Sequence, residues 1–403
     1  MTTSAGSSAG PDASDVSGFG GHPLAAVPYV GVADAEGGES AIDRLRVLGL
    51  TDADQFVAAS SIPGVAEELQ GAMDVDANTF QAILDAALSV LPAERAALVG
   101  QPTSVDDLHL GVREPTAEIA AEAQASATAI DAAPVGLPLS VNLVGFMPPI
   151  RNQASRGTCV AFTLTALNEY VLRRRGIVRD LSEQHLYYEV KLIDGAPNGC
   201  GTWQTKAVLA LRDRGQCRES VWPYNPNPPC NNHGARPAAA RPDGLNNRLA
   251  TLAVSTRSVA EYKAQLARQR PVTLSIPVYN SWYQSAETRR SGRITMLVGA
   301  EQSAGGHAVC IVGYQDAANS PGGGYFIIRN SWSTNWAYQS PYGAGYGTIP
   351  YQYITNDAWE AYSAIVPGVG DVAEDDGGPE EKAAKSSVTI NVGSNIKITI
   401  ESE

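Results

Sequence analysis

Apolar positions recur every three or four residues in some stretches of the chain and alternate in others, and the change of period divides it. Val160, Leu164, Leu167 and Val171 fall on one face of a helix, Arg173 to Arg175 fill its last turn, and Gly176 closes it. Residues 182–193 and 202–214 continue the helical pattern. The period then shortens. Pro271 to Tyr279, Ala308 to Tyr314, Tyr325 to Arg329 and Gly345 to Ile349 are runs rich in Val, Ile and Tyr that read as strands. Pro226 to Asp243, rich in Pro, Asn and Ala, is a loop between the two halves. The pattern predicts an α+β fold with a helical half followed by a β-rich half.

The flanks have a different character. Residues 1–38 are rich in Gly, Ala, Ser and Asp and are expected to be disordered. Residues 39–100 read as a small all-α domain. Ile42, Leu45 and Leu48 form a stripe ended by Gly49, Asp52 opens a second helix, and Asp76 or Asn78 caps a longer one. That last helix carries Phe80, Ile83, Leu84, Ala87, Leu88 and Leu91 on one face, and Pro92 stops it. The loop Leu48-Gly49-Leu50-Thr51 loosely resembles a helix-hairpin-helix connection, and a bundle packing on its own core, or a protein adaptor, is the better reading. Residues 101–136 form a linker with one Ala-rich helix, Thr116 to Ala133, placed where it could cover another domain. At the other end, residues 367–386 are an acidic, Gly-rich linker. Residues 387–403 alternate strictly around Gly393-Ser394-Asn395, as a β-hairpin does. An isolated hairpin is marginal in water, so this one is expected to dock on the chain itself, on another copy or on a protein partner.

Charge narrows the classes of partner. The chain has 403 residues, a formal net charge of -13 and a pI near 4.9. Arg173 to Arg175 and Arg289-Arg290 are short solvated edges, so no nucleic-acid surface is expected. No apolar run reaches the roughly 20 residues that a membrane span needs, and no membrane partner is expected. The start of the chain has neither a positive region nor an apolar core, so no secretory signal is read there and a cytoplasmic, reducing location is expected. Five cysteines, an odd number, agree with that expectation. A bridge between Cys217 and Cys230 remains open, since a short loop separates them.

The candidate chemistry lies at the boundaries of these elements. Cys159 opens the first long helix, where unpaired N–H groups and the positive end of the helix dipole favour a thiolate. A lone cysteine is more often a small buried hydrophobe, but the sequence also supplies His307 at the head of one strand and Asn330 at the end of another. A cysteine, a distant histidine and an asparagine are what nucleophilic thiol catalysis requires. Gln153, six residues before Cys159, carries an amide able to reach the same space.

In this order the residues resemble the papain-like cysteine peptidases, over about residues 137–366. Gln153 to Phe162 follows a Gln-x-x-x-x-x-Cys-x-x-Phe pattern, and Leu181-Ser182-Glu183-Gln184, Gly199-Cys200-Gly201 and Trp222-Pro223-Tyr224 follow in turn. Asn330-Ser331-Trp332, Trp336 and Gly345-Tyr346-Gly347 complete the resemblance. It implies a two-lobed peptidase domain with Cys159 and His307 on opposite walls of a cleft. By the same resemblance, Cys159 is the nucleophile of a thioester mechanism and His307 its general acid and base, the two forming a thiolate–imidazolium pair. Asn330 orients the imidazole and Trp332 shields that bond. The Gln153 amide and the Cys159 N–H hold the oxyanion, and Cys200, Gly201, Thr202 and Gly306 bind a protein or peptide substrate. No metal or cofactor is implied.

Three departures stand out. Val160 follows the nucleophile where many relatives have Trp. The cleft loop is Cys200-Gly201-Thr202 where the family has Cys-x-Gly-Gly. Arg156 occupies the place of the cysteine that relatives bridge to the cleft-loop cysteine, so Cys200 is expected to be unpaired. Arg156 would support the thiolate or face solvent. Relatives carry an inhibitory pro-segment before the peptidase domain, but its interlocked helix pattern is absent from this sequence. Two alternatives from other classes remain: a catalytically idle binding protein on the same fold, and a thiol amidase or transpeptidase.

Overall fold

The computed structural model describes residues 19–27, 40–99, 109–125, 136–299, 301–364, 366, 387–391 and 397–401. It divides into two units, residues 1–370 and 371–403.

The first unit is built on a seven-stranded antiparallel sheet. Its strands are β1 (Ser140–Asn142), β2 (Thr251–Ala253), β3 (Val272–Tyr279), β4 (Ser303–Asp316), β5 (Gly324–Arg329), β6 (Tyr346–Pro350) and β7 (Glu360–Ala364). The order is β2-β7-β3-β4-β5-β6, and β1 also pairs with β4. The predicted strands all form, and β4 begins five residues earlier than the alternation suggested. The long strands β3, β4 and β5 are buried on both faces, so they read as continuous apolar runs. The three-residue β1 and β2, and the five-residue β7, are too short to show a period.

Helices precede the catalytic region and continue within it. Before it come α1 (Ala41–Val47), α2 (Ala53–Ser60), α3 (Val65–Met73), α4 (Ala77–Val90), α5 (Ala93–Ala96) and α6 (Ala117–Ala125). Within it come α7 (Cys159–Arg174), α8 (Glu183–Lys191) and α9 (Gln204–Asp213). The period of α7 predicted one buried face, yet every residue from Cys159 to Leu172 is buried. Its polar members are satisfied. Thr163 Oγ1 donates to the Ala308 carbonyl at 3.0 Å, and Glu169 pairs with Arg151. The first of these bonds pins α7 to β4 beside His307. This central helix thus joins the helical half to the sheet in one core.

The helical module α1 to α5 has its own core, centred on Leu45, Phe56, Leu69 and Ile83. Burial of each such side chain contributes about 1.5–3 kcal/mol. The expected caps form: Ser40, Asp52 and Asp76 accept hydrogen bonds from Asp43, Gln55 and Thr79. Helix α3 escaped the sequence reading because it is short and shows only Val65, Leu69 and Met73 as an apolar stripe. The Leu48-Gly49-Leu50-Thr51 loop faces inward, where the Leu48 carbonyl accepts from the Met296 N–H at 2.9 Å. Val298 enters the module's core, so the module is clamped to the 281–299 arm of the catalytic region.

The expectation of disorder over residues 1–38 is corrected for Phe19 to Val27. Phe19, Leu24 and Val27 are buried. The reason is local: two large apolar side chains and Pro23 stand out from a small-residue background, and Phe19 meets Tyr342 edge-on and lies under Arg293. Around it runs a buried ion network. Arg293 pairs with Asp52 and with Glu287, and Arg290 binds Glu287 and the Phe19 carbonyl. Replacing Arg293 by methionine leaves two carboxylates buried beside one guanidinium, and is expected to cost about 3–5 kcal/mol of stability. Chemical denaturation measures it, and an unchanged midpoint would contradict the network's role.

The second unit contains the antiparallel pair β8 (Ser387–Asn391) and β9 (Lys397–Glu401), with Val388 opposite Ile400 and Ile390 opposite Ile398. The hairpin forms as the alternation predicts. Its turn, and the linker before it, lie outside the described residues, and so do the side chains on which the expected docking depends.

Candidate active site

The Arg151–Phe162 stretch turns sharply and then enters α7, so Cys159 is the first helical residue. Its side chain is fully buried. Burial pushes the thiol up to about 12, against the N–H groups of Ala308 and Gly111, which favour the thiolate. Ala308 follows His307 on β4, so the cysteine lies against the strand that carries the histidine.

His307 is buried and aimed by its neighbours. Its Nε2 lies 2.8 Å from Asn330 Oδ1, and that oxygen also accepts the Ser331 N–H at 2.8 Å. An oxygen receiving two donors fixes the tautomer: Nε2 carries the proton and Nδ1 is left as the acceptor. Among the described residues Nδ1 has no hydrogen-bond partner. Trp332 stacks on the imidazole, with centroids 4.4 Å apart and planes at 26°, and so covers the His307–Asn330 bond. Burial lowers the His307 pKa to about 4, against the Asn330 bond. In the covered cleft burial thus disfavours the charged form of both groups, because both are cut off from water.

A segment of the chain itself cuts them off. Residues 109–113 run through the cleft as a strap bonded to both walls. Thr202 N–H donates to the Gly111 carbonyl at 3.0 Å, and Arg113 N–H to the Thr202 carbonyl at 3.0 Å. Gly111 and Val112 N–H both donate to the Gly306 carbonyl, at 3.1 and 2.9 Å. Val112 therefore pairs parallel with Thr202 and antiparallel with Gly306. The Gln153 amide reaches the expected place, but its Nε2 donates to the His109 carbonyl at 2.8 Å and to the Arg156 carbonyl at 2.9 Å. Its Oε1 accepts from Ser331 Oγ. The strap then enters α6, where Lys206 pairs with Glu122; the rest of the predicted helix, beyond Ala125, lies outside the described residues.

The remaining site residues divide. Thr202 and Gly306 both bond the backbone of the strap, although threonine stands at 202 where the family has glycine. Gly201 passes close to the Gly111 carbonyl, while its own N–H donates to Tyr187 Oη and its carbonyl accepts from Lys191. Cys200 is in a disulfide with Cys230, and Cys217 is free. Both cysteine expectations are therefore corrected. Arg156 is the cause. Its guanidinium neither faces solvent nor supports the thiolate. It is buried, donating to Gln184 at 2.7 Å and to the Asn225 and Cys230 carbonyls at 2.6 and 2.8 Å. These bonds fold residues 225–230 back toward the cleft loop and bring Cys230 to Cys200. Cys217 instead packs with Trp222 and Ala240. The bridge also removes the odd cysteine count as a ground for a reducing compartment. No group of metal-binding side chains occurs among the described residues.

A thiol at a helix start, a histidine aimed by an asparagine and a donor amide, set between a helical and a β-rich lobe, define a cysteine-peptidase type of site. The papain family cysteine protease model matches residues 141–349, just over half of the chain, and the chain belongs to that family. It is 30% identical over 208 residues to Peptidase 1 of Euroglyphus maynei, covering 50% of this chain and 59% of that one. Papain of Carica papaya is 28% identical over 195 residues, covering 48% and 50%. An uncharacterized peptidase C1-like protein of Acanthamoeba polyphaga mimivirus is 23% identical over 256 residues, covering 60% and 78%. Among solved structures, xylellain, a cysteine protease from Xylella fastidiosa, aligns with a TM-score of 0.49 at 24% identity, covering 65% of this chain and 94% of that one. The chain thus spans only half to three-fifths of the length of Peptidase 1 and papain.

Proposed function

We propose that the protein is a cysteine endopeptidase held latent by its own residues 109–113. The observation that carries the reading is the aimed imidazole: His307 Nε2–H is fixed on Asn330, and Nδ1 is left as the one ring acceptor on the strand beside Cys159. Once the strap leaves, water and substrate enter and the burial that disfavours both charged forms is relieved. The Cys159 proton passes to Nδ1, and the thiolate attacks the peptide carbonyl. The resulting oxyanion takes the Gln153 Nε2–H that the His109 carbonyl now holds, together with the Cys159 N–H. Donors of this kind each supply about 3–4 kcal/mol in the transition state. His307 returns its proton to the leaving amine, forming a thioester, and then activates the water that cleaves it.

The gathering of His307, Asn330 and Gln153 beside Cys159 supports an enzyme over the idle-protein alternative. Acyl transfer to an amine would use the same thioester. Incubating the protein with an unlabelled peptide and excess hydroxylamine distinguishes these outcomes. Acid products that form only with Cys159 present support hydrolysis. Hydroxamates as the dominant product would favour a transferase, and no turnover would favour the idle protein.

Asn330 acts through orientation, so its effect belongs to the transition state. Asn330→Ala is expected to lower kcat about 100-fold while KM changes little. Single-turnover acylation measures it, and an unchanged rate constant would remove Asn330 from the mechanism.

A further inference from the structure

The strap shows which side chain the cleft accepts, because one of its residues is held by both walls at once. Val112 is bridged to Thr202 on one side and Gly306 on the other. Residues directly opposite each other in such pairing carry their side chains on the same face. The face that holds the Val112 side chain is therefore flanked by the side chain of Thr202 and by the space over Gly306.

That space is taken. A Cβ at Gly306 would lie 2.4 Å from the ring of Trp359 and 3.0 Å from Val112 Cβ. The Trp359 ring and Val112 thus both crowd the position that a side chain at 306 would fill. Trp359 also lines an open groove of about 770 Å³, together with Pro115, Ile119, Val254 and Tyr362, and Val112 and Thr202 are not among its lining residues. Trp359 thus borders both the Val112 position and that groove. The opposite flank is polar: Thr202 is fully buried, and among the described residues its hydroxyl has no hydrogen-bond partner. A buried hydroxyl left unpaired is unfavourable, and the valine facing it offers only methyl groups.

Building on the peptidase reading, we infer that the cleft selects substrates with a small β-branched residue, threonine or valine, at the position held between Thr202 and Gly306. Trp359 sets the size limit and Thr202 favours the hydroxyl. Threonine has the shape of valine with one methyl exchanged for a hydroxyl, so it fits the same space and supplies the missing partner. Leucine and phenylalanine run into the Trp359 ring.

The test uses the full chain, wild type and Gly111→Val, on acyl-X-Gly-aminocoumarin peptides with X as Thr, Val, Leu or Phe. Ratios of kcat/KM between peptides are compared. The strap reduces every peptide's apparent value by the same open fraction, so the ratios report the pocket and not the latency. Val over Phe is expected to be about 100-fold and Thr over Val about fivefold. Trp359→Ala joins the pocket to the groove and should bring the Val-to-Phe ratio near one. Trp359→Leu, which keeps an apolar side chain, should lower that ratio about tenfold and serves where the alanine variant does not fold. Thr202→Val should abolish the preference for Thr while leaving Val over Phe intact. Cys159-dependent hydrolysis with an unaltered Val-to-Phe ratio in the Trp359 variants, or a wild-type preference for Phe, overturns this inference alone. An absence of Cys159-dependent hydrolysis of any peptide overturns the peptidase reading and the inference with it.

Discussion

Gly111→Val is expected to raise the peptidase activity of the full chain about 100-fold, by shifting the strap toward its displaced state. The obstacle is steric. A Cβ at Gly111 would lie 2.3 Å from both the carbonyl carbon and oxygen of Gly157. Those are backbone atoms just before α7, fixed by the core, so the strap must move. Moving it breaks the bonds from Gly111 N–H to Gly306 and from Thr202 N–H to the Gly111 carbonyl. Each is worth about 0.5–1.5 kcal/mol net, and about 3 kcal/mol of lost closure corresponds to the stated change. The pH profile should change with it. In the covered chain burial pushes the thiol up to about 12 and the imidazole down to about 4, so it works against both charged forms. Alkylation of Cys159 in the wild type should therefore be slow and still rising with pH through 10, since the thiolate is the reactive form. In Gly111→Val the relieved burial lowers the thiol and raises the imidazole, and the rate should level off below neutrality. Identical profiles for the two proteins would show that the strap does not control the site.

Cys159→Ala is expected to lower turnover by about 10⁶-fold in either background, because the covalent intermediate cannot form. Cys310→Ala and Cys217→Ala should leave turnover unchanged. The contrast is informative because burial pushes all three thiols up to about 12 in the covered chain. Their resting chemistry is alike, and only Cys159 has an aimed histidine on the adjoining strand and a strap that can leave. Residual peptidase activity in Cys159→Ala above a few per cent of the Gly111→Val level would end the thioester mechanism.

Much of this was legible in the sequence where a residue's role depends on its own element. Cys159 stands where a helical period begins, and His307 and Asn330 lie near strand boundaries, so their residue types and positions announced the chemistry. The β-branched runs of β3 to β6 and the caps of α1, α2 and α4 were legible for the same reason. The strap was not. His109 to Arg113 has no period, and its bonds are made by backbone groups to Gln153, Thr202 and Gly306, about 45, 90 and 195 positions away. Gly111 gives the one local hint, a residue without a side chain where the chain passes closest to Gly157. The Cys200–Cys230 bridge was hidden for a related reason. It follows from a buried guanidinium at 156 that gathers a distant loop, and no spacing of cysteines records that. Phe19 was lost in a low-complexity background although it is the kind of residue that finds a core.

The central claim is that Cys159 is a nucleophile covered by the chain's own residues 109–113. The direct measurement is mass-spectrometric mapping of thiol adducts after treating intact wild type and Gly111→Val with an epoxysuccinyl peptide reagent at pH 6. The account predicts one adduct, on Cys159, formed rapidly in Gly111→Val and at least tenfold more slowly in wild type, with Cys217 and Cys310 unmodified in both. Equal labelling of Cys159 in the two proteins, or labelling of Cys217 or Cys310 in preference to it, would contradict the account.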